Sequence, residues 1–517
     1  MSDATDGTVF IGGGGAEGGV PVRLTLKRAN RHGLIAGATG TGKTVTLQTL
    51  AESFSNAGVP VFLSDVKGDL TGLCQPGSHA HKAHDALVSR ATKIGFDDFG
   101  YEALPVTFWD MFGEDGHPVR ATVSEMGPML LARLLDLNDV QEGVLHVVFK
   151  LADEEGLLLL DFKDLRALLT EVSDRAAEMS ARFGLVSKAS VAAIQRKLLM
   201  LETEGGGAFF GEPALKLEDM IATEGGRGKV NVLAARRLMN SPRLYATFLL
   251  WLLSELFETL PEVGDPDKPV FVFFFDEAHL LFDRAPRPLI DTVERVARLI
   301  RSKGVGVYFV TQSPSDVPED ILGQLGNRVQ HALRSYTPKD AKAVKAAAQS
   351  FRPNPAFDAA EVIPNLGIGE ALVSVLDPKG APTPVERTLI RPPMSRLGPA
   401  DAEEVARLIA ADPLGRLYGE TVDRKSAFEM LEARAQDSAD APEPPQDRAQ
   451  PAPSRLPKVT KASRKRAEET ARAPRRPQPD PANALLGAAA SAAVSMLKSR
   501  RGRAMVRGLL GSLFKGR

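Results

Sequence analysis

The 517-residue sequence is 43% hydrophobic and 25% charged, which is typical of a folded globular chain with a sizeable core. Its net charge of −1 argues against a chain that coats nucleic acid over its whole surface, and its single cysteine, Cys74, excludes an intrachain disulfide. Its longest apolar runs are far shorter than the roughly 20 residues of a membrane span, and its acidic N-terminus is unlike a signal peptide, so we expect a cytoplasmic protein.

The first 24 residues include the glycine-rich run "IGGGGAEGGV". No lysine followed by serine or threonine comes after these glycines, as a phosphate-binding loop would require. We therefore predict that residues 1–24 form a flexible N-terminal segment.

The stretch "GATGTGKT" fits the pattern G-x-x-x-x-G-K-[ST] and lies between a predicted strand and a predicted helix. Glycines let the backbone N–H groups and the helix N-terminus face phosphate oxygens. We expect Lys43 to reach the β and γ phosphates and the Thr44 hydroxyl to bind Mg²⁺, so the pattern predicts ATP and Mg²⁺ as ligands. The predicted nucleotide-binding residues are Gly37, Ala38, Thr39, Gly40, Thr41, Gly42, Lys43 and Thr44.

The next predicted strand ends in "VFLSDVKGDL". We expect Asp65 to make outer contacts to Mg²⁺ or water at the nucleotide, with Asp69 as the alternative. From about 125 to 222 the chain is rich in Leu, Ala, Arg and Glu at helical spacing, which predicts a large helical insertion.

Further strands are predicted in "KVNVLAA", "PVFVFFFDE", "GVGVYFVTQS" and "RVQHALRS". Their near-continuous Val and Phe runs are typical of strands buried on both faces of a mainly parallel sheet, so we predict an α/β fold. We place the end of this domain at about residue 395, and the domain itself at residues 25–395.

Two acidic residues follow the apolar strand in "FVFFFDEAHLLF". Asp276 is the expected metal-binding carboxylate, and Glu277 is placed to orient and deprotonate the attacking water. Gln312, at the end of the next strand, is predicted to sense the γ-phosphate. We interpret His279 as a structural residue, because the four letters D-E-A-H are weak evidence for a helicase class.

The transferred phosphoryl group also calls for an arginine, which is frequently donated across a subunit boundary. Most arginines in "ERVARLIRSKG" and "GNRVQHALRS" must be ordinary surface residues. We select Arg301 and Arg328 as the candidates.

The C-terminal part has three sections of different composition. Residues 396–437 are predicted to be a helical extension, and residues 438–483 are too rich in Pro, Ala and charge to build a core, which predicts a disordered linker. Residues 484–517 contain seven Lys or Arg and no acidic residue, and are predicted to form a basic amphipathic helix. This tail suits an anionic membrane, nucleic acid or a protein partner, or serves only for solubility or self-association.

The motifs in this order, from "RHGLIAGATGTGKT" and "DVKGD" through "FFFDEAHLLF" and "RSKGVGVYFVTQSPSDVPEDILGQLGNRV" to "GEALVSVLDPKG" and "VERTLIRPP", resemble the HerA/FtsK superfamily over residues 25–395. They are most similar to the bacterial helicase HerA-like C-terminal group. The resemblance implies a RecA-like P-loop (ASCE) NTPase core that assembles as a homo-oligomer, a hexameric ring, with ATP at subunit interfaces. It also assigns the roles of Walker lysine, metal-binding aspartate, catalytic glutamate and sensor glutamine to Lys43, Asp276, Glu277 and Gln312.

Three functions remain open at this stage. The first is a ring-shaped, Mg²⁺-dependent ATPase that translocates or remodels nucleic acid, a substrate that the resemblance implies and no single residue demonstrates. The second is an ATPase of the same fold that acts on protein or at a membrane surface. The third is a P-loop kinase, in which Glu277 would have no clear role.

Overall fold

The computed structural model describes residues 4–5, 7–15, 17–282, 287–335 and 337–440. The chain divides into two units, residues 1–428 and 429–517, and of the second unit only residues 429–440 are described. Apart from residues 438–440, which end a helix, the predicted linker and the predicted basic tail lie outside the described residues.

The strands in the described part are β1 (Ala4–Thr5), β2 (Thr8–Gly14), β3 (Val20–Thr25), β4 (Gly33–Ala36), β5 (Val61–Asp65), β6 (Val106–Asp110), β7 (His117–Pro118), β8 (Thr223–Glu224), β9 (Arg227–Gly228), β10 (Val230–Ala234), β11 (Phe271–Phe275), β12 (Val305–Thr311), β13 (Asn327–Gln330), β14 (Glu370–Ser374) and β15 (Glu386–Ile390).

The α-helices in the described part are α1 (Lys43–Asn56), α2 (His84–Lys93), α3 (Val123–Leu134), α4 (Asp139–Glu155), α5 (Phe162–Asp174), α6 (Ala176–Phe183), α7 (Lys188–Thr203), α8 (Leu217–Met220), α9 (Pro242–Thr259), α10 (His279–Phe282), α11 (Arg287–Ile300), α12 (Glu319–Leu322), α13 (Pro338–Gln349), α14 (Ala359–Val362), α15 (Ala402–Ala411), α16 (Leu414–Tyr418) and α17 (Ala427–Asp440).

A large, mostly parallel sheet forms the centre of the first unit. Its strand order is β7-β6-β10-β5-β11-β12-β4-β13-β14-β15-β2-β1, with β3 paired to β2. The strands from β7 to β13 run parallel, and those beyond β13 pair antiparallel. The strand that precedes the phosphate-loop motif, β4, is thus separated from the strand of the acid pair, β11, by β12.

The apolar run of β11 is explained by its central place in this sheet. All five residues of Phe271–Phe275 are buried, and Phe273 pairs with Val307 on one side and with Phe62 on the other. A strand covered on both faces has no solvent side to alternate with, so its sequence is continuously hydrophobic. The α/β fold with a mainly parallel sheet that the sequence predicts is confirmed.

The N-terminal glycine-rich segment is not a flexible linker as predicted. β2 and β3 form an antiparallel pair, and β2 also pairs with β15. A Cβ atom on Gly12 would lie 2.0 Å from the Leu389 carbonyl oxygen, so glycine allows the two backbones to approach closely. The sequence pattern was misleading because glycines that permit close strand packing resemble those of a mobile loop.

Helices α3 to α8 occupy the connection from β7 to β10, which carries the 125–222 segment. Three of these helices begin with capping boxes, in which the side chains of Thr122, Asn138 and Asp161 accept backbone N–H groups. Since β6 and β10 are adjacent and parallel, this segment is an enlarged crossover connection of the sheet.

The compact unit continues past the predicted boundary at residue 395 and includes residues up to Phe428. The Arg396 guanidinium donates to Gln75 Oε1 at 2.9 Å, and Tyr418 packs edge-on against Trp109 at 5.5 Å between ring centroids. These anchors are polar or aromatic residues spaced far apart, so the sequence around them shows no apolar periodicity. In the part of the chain that the structure describes, no helix has the length and apolar character to cross a membrane.

Candidate nucleotide-binding site

The phosphate-loop motif connects β4 to α1 at the carboxyl edge of the parallel strands. Gly42 immediately precedes α1 and has a φ of +115°, a backbone conformation that strongly favours glycine. The N–H groups of Gly37 and Ala38 donate to the carbonyl oxygens of Thr311 and Ala332, at 3.2 and 2.8 Å. The base of the loop is therefore fixed to the strands on either side of β4.

Lys43, the first residue of α1, is buried, and its Nζ donates to the Ala38 carbonyl oxygen at 3.1 Å. Burial lowers the pKa of Lys43, while the negative charges of Glu277 and Asp276 act to raise it. The lysine ammonium thus lies inside the loop and within the electrostatic reach of both acids.

Asp276 follows β11 and is almost fully buried. Its Oδ1 accepts the Glu277 N–H at 2.9 Å, whereas its buried Oδ2 has no hydrogen-bond partner among the described residues. Burial, reinforced by the charge of Glu277, raises the pKa of Asp276 to about 7. Ser64 accepts the Asp276 N–H at 3.2 Å and a hydrogen bond from the Tyr245 hydroxyl at 2.8 Å, so the backbone that carries the carboxylate is held by β5 and α9.

Glu277 has a φ of +48°, which is uncommon for a residue with a side chain and is often found at functional sites. Its Oε1 accepts a hydrogen bond from Lys67 Nζ at 2.6 Å, and its Oε2 lies 3.4 Å from Gln312 Nε2 and 3.3 Å from His279 Nδ1. Burial acts to raise the pKa of Glu277, but its interactions with Lys67, Gln312 and His279 together bring the pKa below its usual value.

Asp65, at the end of β5, is used within its own turn. Its two carboxylate oxygens accept the N–H groups of Gly68 at 2.7 Å and Leu70 at 3.0 Å. Burial and the charge of Asp69 raise its pKa to about 6. Of the two carboxylates that the sequence suggested, Asp69 is the one with a buried oxygen, Oδ1, that has no hydrogen-bond partner in the described part of the chain.

The structure brings Gln312 to the acid pair but does not bring Arg301 or Arg328 there within the same chain. Arg301 precedes β12 at the opposite, amino edge of the parallel strands, where its Nε lies 3.7 Å from Asp265. The Arg328 guanidinium donates to the carbonyl oxygens of Leu325, Ser350 and Leu322. A role for either arginine across a subunit boundary stays a prediction.

Two residues at this edge were missed by the sequence analysis. Lys67 lies in the turn "DVKGD", where its position two residues after a buried strand was an available signal. His331 is fully buried, with Nε2 2.8 Å from the Thr46 hydroxyl and Nδ1 2.9 Å from the Glu370 carbonyl oxygen. Burial lowers its pKa to about 4, so it is a neutral support beneath the first turn of α1, and in the sequence it looks like an ordinary strand residue.

These residues fit a nucleotide with Mg²⁺. Oxygen donors suit this ion, which usually takes one or two protein ligands and fills the remaining positions with phosphate oxygens and water. Asp276 supplies a buried carboxylate oxygen without a partner, and Thr44 lies in the first turn of α1. Among the described residues, no group of three or more His, Cys, Asp or Glu side chains could hold a metal ion.

Comparison with known proteins decides the family. The helicase HerA-like C-terminal family matches residues 14–517. The chain belongs to this family. Together with this phosphate loop and acid pair, membership of the HerA-like family identifies the chain as an ATPase with a RecA-type P-loop fold.

Individual relatives are distant from this HerA-like chain. It is 21% identical to the DNA double-strand break repair helicase HerA of Saccharolobus solfataricus over 360 residues, which are 68% of this chain and 63% of that protein. The chain therefore spans less than two thirds of the length of this relative.

Solved structures with similar folds include the bacterial conjugative coupling protein TrwBdeltaN70, at 15% identity and a TM-score of 0.47, covering 72% of this chain and 87% of that one. VirB4 of Thermoanaerobacter pseudethanolicus has 16% identity and a TM-score of 0.47, covering 75% and 98%. The plasmid coupling protein TrwB in complex with ADP and Mg²⁺ has 15% identity and a TM-score of 0.48, covering 75% and 92%.

Proposed function

We propose that this HerA-like protein is a Mg²⁺-dependent ATP hydrolase that works as a ring-shaped motor on nucleic acid. The observation that carries the hydrolase part is the meeting of Lys43 with the acid pair Asp276 and Glu277 at one edge of the sheet. Family membership and the name of the DNA repair relative support nucleic acid as the polymer that is moved.

Different residues would bind the triphosphate and its metal ion. Residues 37–44 would surround the phosphates, with Lys43 at the β and γ phosphates. Thr44 and Asp276 would hold Mg²⁺, which supplies charge neutralisation at the phosphate oxygens when bound, and the unpartnered Oδ2 of Asp276 supports this role. Asp69 is better placed than Asp65 to contact the surrounding water, because both Asp65 oxygens accept backbone N–H groups.

Glu277 is the proposed general base. It is ionised at neutral pH, it is largely shielded from bulk solvent, and it lies beside Gln312, which is proposed to report the γ-phosphate. A base so placed orients the attacking water and accepts its proton, which typically contributes about 10²–10⁴-fold to the rate. Arg301 or Arg328 would reach the nucleotide of a neighbouring subunit in the ring.

Steady-state ATP hydrolysis with and without double- and single-stranded DNA, at low and moderate salt, tests this function. We expect salt-sensitive stimulation by DNA in the wild type, because phosphate contacts release counterions, and hydrolysis slower by about 10²–10⁴-fold in Glu277→Gln. Turnover that depends on Glu277 but is indifferent to both DNA forms would contradict the nucleic-acid part and favour the protein-substrate alternative. Turnover in Glu277→Gln close to the wild-type rate would contradict the catalytic assignment.

A further inference from the structure

The Lys67 side chain approaches one oxygen of the Glu277 carboxylate and leaves the other less engaged. Lys67 Nζ lies 2.6 Å from Oε1, a short charge-assisted hydrogen bond. On the Oε2 side the contacts to Gln312 and His279 are 3.4 and 3.3 Å. The two oxygens of the proposed base are therefore held unequally.

The Oε2 side is also the open side of the carboxylate. The Gln312 side chain is exposed, and Gln312 and His279 line an open cavity of about 540 Å³. Glu277 itself is only 6% exposed, and its Oε2 faces two residues that line this cavity, which gives water a route to that oxygen.

Lys67 is presented by a rigid turn. The Asp65 carboxylate, two residues before Lys67, accepts the N–H groups of Gly68 and Leu70 and so closes the turn that carries Lys67. The Lys67 side chain is 47% exposed, so its ammonium keeps part of its hydration while it is bonded to a carboxylate that is only 7% exposed. The turn therefore places the Lys67 ammonium beside the Glu277 carboxylate although Lys67 is not a core residue.

We propose that Lys67 is a positioning residue for hydrolysis: its hydrogen bond to Oε1 of Glu277 turns Oε2 toward the attacking water. This inference rests on the proposed role of Glu277 as the base. It follows the general arrangement in which a catalytic base is oriented by a third group. Lys43 binds the phosphates from the loop, whereas Lys67 acts through Glu277 and does not bind the nucleotide.

Lys67→Met tests the proposal, with Lys67→Arg as the conservative variant and Lys342→Met, an exposed lysine on α13, as the matched control. A mispositioned catalytic group commonly costs about tenfold to a hundredfold in rate, so we expect kcat to fall by that factor in Lys67→Met. The KM for ATP should stay within about twofold of wild type, because Lys67 is proposed to make no contact with the bound nucleotide. Lys67→Arg should recover most of the lost rate, and Lys342→Met should match wild type.

A double-mutant cycle separates action through Glu277 from direct action on the nucleotide. In the Glu277→Gln background, single-turnover measurements should show little further loss on adding Lys67→Met, because residues that act as a unit are strongly non-additive. Equal slowing in both backgrounds, a KM that rises as kcat falls, or an unchanged kcat in Lys67→Met would each overturn the role of Lys67. A Glu277→Gln enzyme that hydrolyses ATP at close to the wild-type rate would instead overturn the proposed function on which it rests.

Discussion

Two buried carboxylates, those of Glu52 and Asp276, differ in how many of their oxygens have hydrogen-bond partners. Glu52, in the middle of α1, receives hydrogen bonds from Arg391, from the Met394 N–H and from both the N–H and the hydroxyl of Ser395. Asp276, directly after β11, accepts one backbone N–H on Oδ1, and its Oδ2 has no hydrogen-bond partner among the described residues. A buried carboxylate whose oxygens all accept hydrogen bonds from the protein has a structural role. A buried carboxylate oxygen without a partner indicates a position where a ligand can bind.

The largest expected effect is on stability at Arg391. Arg391→Met leaves Glu52 charged and buried without its cation, and breaking a buried pair in this way typically costs about 3–5 kcal/mol of unfolding free energy. Denaturant unfolding would measure it. Arg387→Met is the matched control, because its ion pair with Glu370 is partly exposed and should change stability by less than about 1 kcal/mol. Similar losses in the two variants would contradict the contrast between a structural and an exposed pair.

Asp276→Asn tests the other carboxylate of the comparison, the one with an unpaired oxygen. We expect hydrolysis to fall by about a hundredfold or more, since a ligand of the proposed metal is lost. The unfolding free energy without nucleotide should not fall, because a buried charge with an unpartnered oxygen is removed. A variant that is both inactive and strongly destabilised would show that Asp276 is a structural acid like Glu52.

Nucleotide binding should raise the unfolding free energy of the protein in a way that depends on Asp276 and not on the Arg391–Glu52 pair. At a concentration of a non-hydrolysable ATP analogue about 100 times its Kd, with Mg²⁺, the wild type should gain about 2.7 kcal/mol. A thermal-shift titration would measure this gain. Asp276→Asn, or removal of Mg²⁺ with EDTA, should reduce the gain, whereas Arg391→Met should keep it if the variant is folded. A gain that is insensitive to both Asp276 and Mg²⁺ would argue against the metal site.

The smallest expected effect is the contribution of His331 to the pH dependence of the unfolding free energy. The pKa of His331 is about 4 in the folded state and 6.5 in the unfolded state, so below pH 6.5 the unfolded chain binds a proton that the folded chain does not. Stability should therefore fall as pH drops from 6.5 toward 4, by at most roughly 2 kcal/mol at pH 5 from this residue.

His32 provides a comparison at the other edge of the sheet. It is also buried, its Nδ1 accepts the Val307 N–H at 3.0 Å, and burial lowers its pKa to about 4. Denaturant unfolding at several pH values should show a shallower acid dependence in His331→Gln than in wild type, with the part from His32 retained. An unchanged slope would mean that His331 does not titrate with folding.

Local sequence determined much of this protein. The phosphate-loop motif and the acid pair are contiguous, and their strand, turn and helix signals are short-range, so Lys43, Asp276 and Glu277 could be selected without coordinates. The mainly parallel sheet followed from continuous apolar runs such as Phe271–Phe275, since only burial on both faces permits such a run. The roles proposed for these residues remain predictions for the experiments above.

Tertiary structure decided what depends on distant partners. Gly12 looked like a linker residue until its close approach to Leu389 was known, and Tyr418 looked like part of a separate helical extension although it packs against Trp109. The pairing of Lys67 with Glu277 spans 210 residues, and no local pattern encodes it. Packing and hydrogen bonds between remote segments are set by the fold as a whole, so they become visible only when the strands are placed side by side.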